Sequence, residues 1–113
     1  MIVEQSLVKT VDAIASGDVS SREVIDACLA QIEIQQPRLN CFTSIDAEEA
    51  QAAADAADAA QARGETLGPL HGVPLAHKDL FYRAGKIATC ASEIRRAMTV
   101  DTTSTAVARL EAA

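Results

Sequence analysis

The chain has 113 residues and a formal net charge of −6, enough for one small acidic domain. Its apolar fraction of 49% leans on alanine, with one tyrosine and two phenylalanines, so a free-standing core is expected to be thin. Ten Lys+Arg against sixteen Asp+Glu argue against direct nucleic-acid binding; Arg95-Arg96, the one adjacent basic pair, reads as a solvated edge. Three widely spaced cysteines, Cys28, Cys41 and Cys90, form neither a disulfide framework nor a zinc signature. Glu4 and Lys9 interrupt any signal-peptide pattern, and no run is apolar enough to span a bilayer, so a cytoplasmic setting without a membrane is expected.

Val3, Leu7, Val8, Val11 and Ile14 recur at helical spacing and predict a helix over 3–16, stopped by Gly17. Ser20 stands three residues before Glu23, the pattern of a capping box. The helix it starts carries Val24, Ile25, Cys28, Leu29 and Ile32 on one face and is expected to end at Pro37, because proline disfavours helical geometry in the residue before it. Cys41 to Ile45 has the character of a short strand. Cys28 and Cys41 are expected to be small buried hydrophobes. Asp46 is placed to cap a third helix over 47–63, with Glu48 and Glu49 in its first turn and Gly64 just beyond. The alanine-rich stretch admits a linker reading, but its caps and alanine's propensity favour the helix.

After Gly64 the composition changes, with Gly68-Pro69, Gly72 and Pro74 in quick succession. Val73 to Ala76 reads as a short buried strand leading to Lys78-Asp79. Gly85 marks a turn, and Thr102 to Thr105 lead into Ala106, Val107, Leu110 and Ala113 at helical spacing. The closing helix has no C-cap glycine or proline, so the terminus reads as imposed. The element order predicts an α/β arrangement with the first strands of a mixed sheet, helices on both faces, and the sheet unfinished. A helical region over about 1–66 and a second region over about 67–113 are expected.

Lys78 at the end of a buried strand would lie where ligands commonly meet α/β sheets. Partial desolvation there disfavours the ammonium, and a neutral lysine can act as a base toward a serine hydroxyl. The competing reading is a solvated lysine paired with Asp79 or another carboxylate, and residue chemistry alone favours it. His71 and His77 invite a metal reading, but no carboxylate cluster accompanies them. Cys90, thirteen positions after His77, lacks the local surroundings of a cysteine nucleophile.

The segment Gly68-Pro69-Leu70-His71-Gly72-Val73-Pro74-Leu75-Ala76-His77-Lys78-Asp79 resembles the lysine motif of the amidase-signature family. His77 stands where that family more often has a small aliphatic residue. The Ser20–Glu23 helix, Pro37 and the Asn40–Ile45 segment are similar to the family's N-terminal region. Thr89-Cys90-Ala91-Ser92 resembles its Thr-Thr-x-Gly-Ser stretch, with Cys90 for threonine and Ala91 for glycine. The resemblance implies a hydrolase like an amidase, or like the A-type component of an amidotransferase, that acts on carboxamide C–N bonds. It implies a Ser–cis-Ser–Lys triad with Lys78 as the lysine, and no cofactor or metal.

Both serines of that triad lie in a Gly/Ser-rich signature downstream. After Lys78 this sequence has only Ser92 and Ser104, neither beside a glycine. The expectation is therefore a truncated piece of a longer enzyme, inactive alone, whose parent takes a small-molecule amide. One alternative is a non-catalytic remnant or interaction module, with self-association or a partner subunit. Another is a fragment of the A-type component of a tRNA-dependent amidotransferase.

Overall fold

The computed structural model describes residues 1–113, with helices α1 (Leu7–Ser16), α2 (Ser21–Leu39), α3 (Ala47–Ala62) and α4 (Thr105–Ala112). Single 3₁₀ turns occupy Ile2–Glu4 and Glu93–Arg95. The residues divide into two compact units, Met1–Pro74 and Leu75–Ala113.

In the first unit, Ser6 splits the helix predicted over 3–16. Its Oγ accepts the Lys9 N–H at 3.4 Å, so α1 starts at Leu7 and the residues before it tighten into the 3₁₀ turn. Gly17, at φ +79°, closes α1 in the left-handed conformation that glycine adopts without a Cβ clash. The capping box forms as read: Ser20 Oγ accepts the Glu23 N–H at 3.0 Å, and Glu23 accepts the Ser20 N–H at 2.8 Å. Ile14, Val24, Ile25 and Ala54 are the buried apolar core of this unit.

Helix α3 adds a polar seam against α2. The Asp58 carboxylate accepts the Ser21 N–H at 2.7 Å and the Arg22 N–H at 3.0 Å. An anion therefore satisfies orphan donors at the positive end of α2 from a different helix. Arg22 pairs with Asp26 on its own helix and with Asp55 on α3. Gln51 donates to Asp26 at 2.7 Å, and this bond, followed by that from Arg22, holds the Asp26 carboxyl below its ordinary value. Gln61 reaches the Ile14 carbonyl at 2.8 Å, tying the end of α3 to α1.

Three expectations need correction here. Helix α2 does not end at Pro37. Pro37 sits inside its last turn, where it removes one N–H donor from the helix without ending it, and Asn40 supplies the stop at φ +46°. Cys41–Ile45 forms no strand, because the Gln36 carboxamide takes the place of a ladder partner. Its Nε2 donates to the Phe42 carbonyl at 2.8 Å, and its Oε1 accepts the N–H groups of Cys41 at 3.2 Å and Phe42 at 3.1 Å. Cys41 is consequently exposed, whereas Cys28 is half-buried and its burial pushes the thiol pKa up. Asp46 occupies the N-cap of α3 as read, without a side-chain cap bond.

Val73–Ala76 likewise forms no strand: Val73 is half-buried, and Leu75 and Ala76 are exposed. The expected first strands of a sheet are therefore absent, and regular structure is helical. The second unit holds one isolated antiparallel bridge, Ile87 with Thr99. Bonds from Ala88 N–H to Met98 C=O at 3.1 Å and from Val100 N–H to Lys86 C=O at 3.0 Å flank it. Ala88, Val100 and Val107 are its buried apolar side chains. Leu80, Phe81, Ile87, Met98 and Leu110 stay exposed, and Ile94 is 94% exposed, so the core here is thin.

Candidate active site

The two halves of Gly68–Asp79 are held differently. Its first half folds onto the helices of the first unit. Hydrogen bonds from His71 N–H to Gly68 C=O at 3.2 Å and from Val73 N–H to Leu70 C=O at 3.1 Å make consecutive turns. Gly72 adopts φ +71°, and a Cβ there would lie 2.9 Å from that of Ser21. Both the backbone conformation and the space demand glycine. The buried Ser21 hydroxyl donates to the Gly72 carbonyl at 2.6 Å. His71 Nε2 lies 2.9 Å from the Ala57 carbonyl on α3. A carbonyl only accepts, so Nε2 carries the proton and His71 serves as a tether to α3.

From Leu75 to Lys78 the chain is exposed and has no regular structure, and it turns at Asp79-Leu80, where the Phe81 N–H donates to the Lys78 carbonyl at 2.9 Å. Lys78 is exposed instead of lying at the end of a buried strand. It does not pair with Asp79, whose carboxylate is occupied elsewhere. Asp79 Oδ1 accepts the Thr89 N–H at 3.0 Å, and Oδ2 accepts the Thr89 hydroxyl in a short contact. These bonds, that of the hydroxyl first, hold the Asp79 carboxyl below its ordinary value, with a contribution from the Arg95 guanidinium.

Thr89–Ser92 is a tight turn closed by the Ser92 N–H on the Thr89 carbonyl at 2.9 Å. Its central residues Cys90 and Ala91 both have positive φ, +50° and +57°. That is the geometry of a type I′ turn, which favours glycine or asparagine. Arg95 is fixed beside it, with Nε on the Ala88 carbonyl at 3.2 Å, a terminal nitrogen on the Tyr82 hydroxyl at 2.6 Å, and the guanidinium 5.5 Å from the ring centroid. Arg95 is thus half-buried and bonded, unlike the solvated edge expected of Arg95-Arg96.

No hydrogen bond joins Lys78 to either downstream serine. Ser92 belongs to the Thr89 turn, and Ser104 is the N-cap residue of α4, its N–H on the Tyr82 carbonyl at 2.9 Å. No group of three or more His, Cys, Asp or Glu side chains is arranged to hold a metal ion. An open hollow of about 600 Å³ is lined by residues of the first unit from Ile2 to Val19, and no residue of Gly68–Asp79 lines it. No helix is long and apolar enough to cross a membrane.

A sequence profile for the amidase family matches residues 23–113. The chain belongs to the amidase-signature family. Among curated proteins it is 45% identical, over 98 residues, to the A-type component of the glutamyl-tRNA(Gln) amidotransferase of Halorhodospira halophila, covering 87% of this chain and 20% of that protein. It is 44% identical over 102 residues to the protein of the same name from Roseiflexus, covering 90% of this chain and 21% of that one. The chain therefore spans about a fifth of the length of these relatives.

Solved structures agree. A bacterial aryl acylamidase of the amidase-signature family superposes with a TM-score of 0.90 at 28% identity, over 96% of this chain and 23% of that one. A chain from a vestigial protein complex, described as revealing the origins of an s-triazine catabolic enzyme, superposes with a TM-score of 0.90 at 38% identity, over 96% of this chain and 24% of that one.

The Gly68–Asp79 segment stands out in the sequence through its resemblance to the family's lysine motif. Thr89, Tyr82, Arg95, Ser21 and Asp58 were not singled out as site-building residues. The only signal pointing to Thr89 was its place in the Thr-Thr-x-Gly-Ser-like stretch.

Proposed function

We propose that Lys78 is the base of an amide-cleaving Ser–cis-Ser–Lys triad whose two serines are not among these 113 residues. The observation that supports this reading is the position of Lys78 in Gly68–Asp79 within a chain of the amidase-signature family, its ammonium unclaimed while Asp79 is bonded to Thr89. A neutral Lys78 would accept a proton through the bridging serine and so activate the second serine to attack a carboxamide carbonyl. The acyl-enzyme forms as ammonia or an amine leaves, and water then releases the acid. Cover over the exposed Lys78 is what would favour the neutral amine. The substrate is a small carboxamide, and the reaction uses no cofactor. The setting is the cytoplasm. The 113-residue chain alone does not complete the reaction.

A second reading follows from the names of the relatives. Several are A-type components of a glutamyl-tRNA(Gln) amidotransferase, so the ammonia released would pass to a second substrate in an assembly with partner proteins. The lysine motif serves both reactions.

The coding sequence beyond residue 113 tests both. A frame that continues into a Gly-Ser-Ser-Gly-Gly-Ser-like stretch supplies the serines. In the protein so encoded, Lys78→Ala is expected to lower ammonia release from simple amides by about 10³-fold or more. Retention of activity in that variant rejects Lys78 as the base. Ammonia release only in the presence of partner proteins and an acceptor favours the amidotransferase.

A further inference from the structure

Asp79 directly follows Lys78, yet every bond it makes leads to a turn ten residues away. That turn is costly in itself. Cys90 and Ala91 are L-residues in the left-handed region, each at a cost of about 1 kcal/mol relative to glycine. Such a conformation persists only where its surroundings over-determine it. The surroundings are a closed set: the Asp79 carboxylate takes both the N–H and the hydroxyl of Thr89, and the Thr89 hydroxyl oxygen accepts the Ala91 N–H at 3.2 Å. On the other side, the Phe81 N–H closes a turn on the Lys78 carbonyl at 2.9 Å. The Lys78–Asp79 peptide is thereby pinned at both ends, through the carbonyl of Lys78 and the carboxylate of Asp79.

We infer that Asp79 and Thr89 are positioning residues for Lys78: their paired bonds fix the backbone from which the Lys78 side chain leaves. The assignment rests on Lys78 being the base, and deepens it. It replaces an electrostatic role for Asp79, which a Lys78–Asp79 ion pair would have given, with a mechanical one. The charged group that faces the carboxylate is Arg95, held by Tyr82 and Ala88. Ionised Asp79 accepts both Thr89 bonds; protonated Asp79 loses acceptor capacity and competes as a donor. Since the folded carboxyl titrates below its ordinary value, the clamp is fully present above the ordinary aspartate pKa. It is lost as the pH falls through the depressed one.

The test is amide NMR and hydrogen exchange on the full 113-residue chain, beside Asp79→Asn, Thr89→Val and Thr89→Ser. In the wild type, the Lys78, Phe81, Thr89 and Ala91 amides should follow one common acid titration with a midpoint below the ordinary aspartate range. Thr89→Val keeps the shape and removes the hydroxyl, and should lower protection of the Phe81 amide by at least about tenfold. Thr89→Ser should restore it, and Asp79→Asn should abolish the common titration. Amides around Ile14 in the first unit should not move, which separates positioning from general loss of fold. Phe81 protection unchanged in Thr89→Val overturns the inference. So does a wild-type chain whose Phe81 and Thr89 amides exchange as in an unfolded peptide. These backbone readouts are independent of ammonia release, so failure of the clamp and failure of Lys78 as the base are told apart.

Discussion

In Met1–Pro74, backbone groups are satisfied mostly inside helices, and polar side chains join one element to the next: Asp58 to the start of α2, Gln61 to the Ile14 carbonyl, Ser21 to the Gly72 carbonyl. In Leu75–Ala113 there is one short helix and one isolated bridge, and side chains bond loop to loop: Asp79 to Thr89, Arg95 to Ala88 and Tyr82. The buried apolar side chains differ in the same sense: Ile14, Val24, Ile25 and Ala54 in the first unit, against Ala88, Val100 and Val107 in the second. The first region is held by packing with polar locks laid over it. The second is held largely by the locks. A framework of the first kind tolerates the loss of a single bond, whereas one of the second kind loses local geometry with it. The lysine motif runs across the boundary, so Gly72 is set by helices and Lys78 by a loop clamp.

The sharpest way to break the first region is Gly72→Ala. It forces an L-residue into φ +71° and drives a Cβ to 2.9 Å from that of Ser21, and should cost about 3 kcal/mol, read as a lower urea midpoint. Asp58→Ala comes next. It orphans the Ser21 and Arg22 N–H groups, and a loss of about 1–2 kcal/mol is expected in the same unfolding measurement. A change below experimental error would show that water replaces the carboxylate and that the seam is dispensable.

In the second region, Ala91→Gly removes a left-handed penalty larger than the freedom glycine adds to the unfolded chain, and should stabilise by roughly 0.5 kcal/mol, read as a higher urea midpoint. The same variant should make Phe81 protection less dependent on Thr89. The smallest effect is back in the first region, for Arg63→Ala. The Arg63–Glu65 pair is largely solvated on both sides, so the midpoint should not move measurably.

The parts of the fold legible in the sequence were those fixed by neighbours along the chain. Ser20 and Glu23 are three residues apart and find each other in any helix, and Gly17 and Gly64 carry their stop signals in their own backbones. The misread parts were those decided by a distant or unexpected partner. Cys41–Ile45 has strand character, but the Gln36 carboxamide bonds Phe42 on both its backbone groups, and no periodicity announces that. Pro37 signals a stop, yet Asn40 sets the actual one. At the site, Lys78 stood out through its motif. Thr89, ten residues on from Asp79, did not, because a carboxylate–hydroxyl pair across a loop leaves no trace in spacing. The departure of Ala91 from glycine was visible as a letter; its meaning, a left-handed residue whose N–H bonds the Asp79-held Thr89, needed coordinates.

The most direct measurement is ammonia release from a panel of simple carboxamides by the purified 113-residue chain, with Lys78→Ala beside it. If Lys78 is the base and the serines it serves are not among these residues, as proposed, both proteins should release ammonia at the uncatalysed rate. Release by the wild-type chain that is lost in Lys78→Ala would contradict the account, because it would require the nucleophile to lie among the residues described.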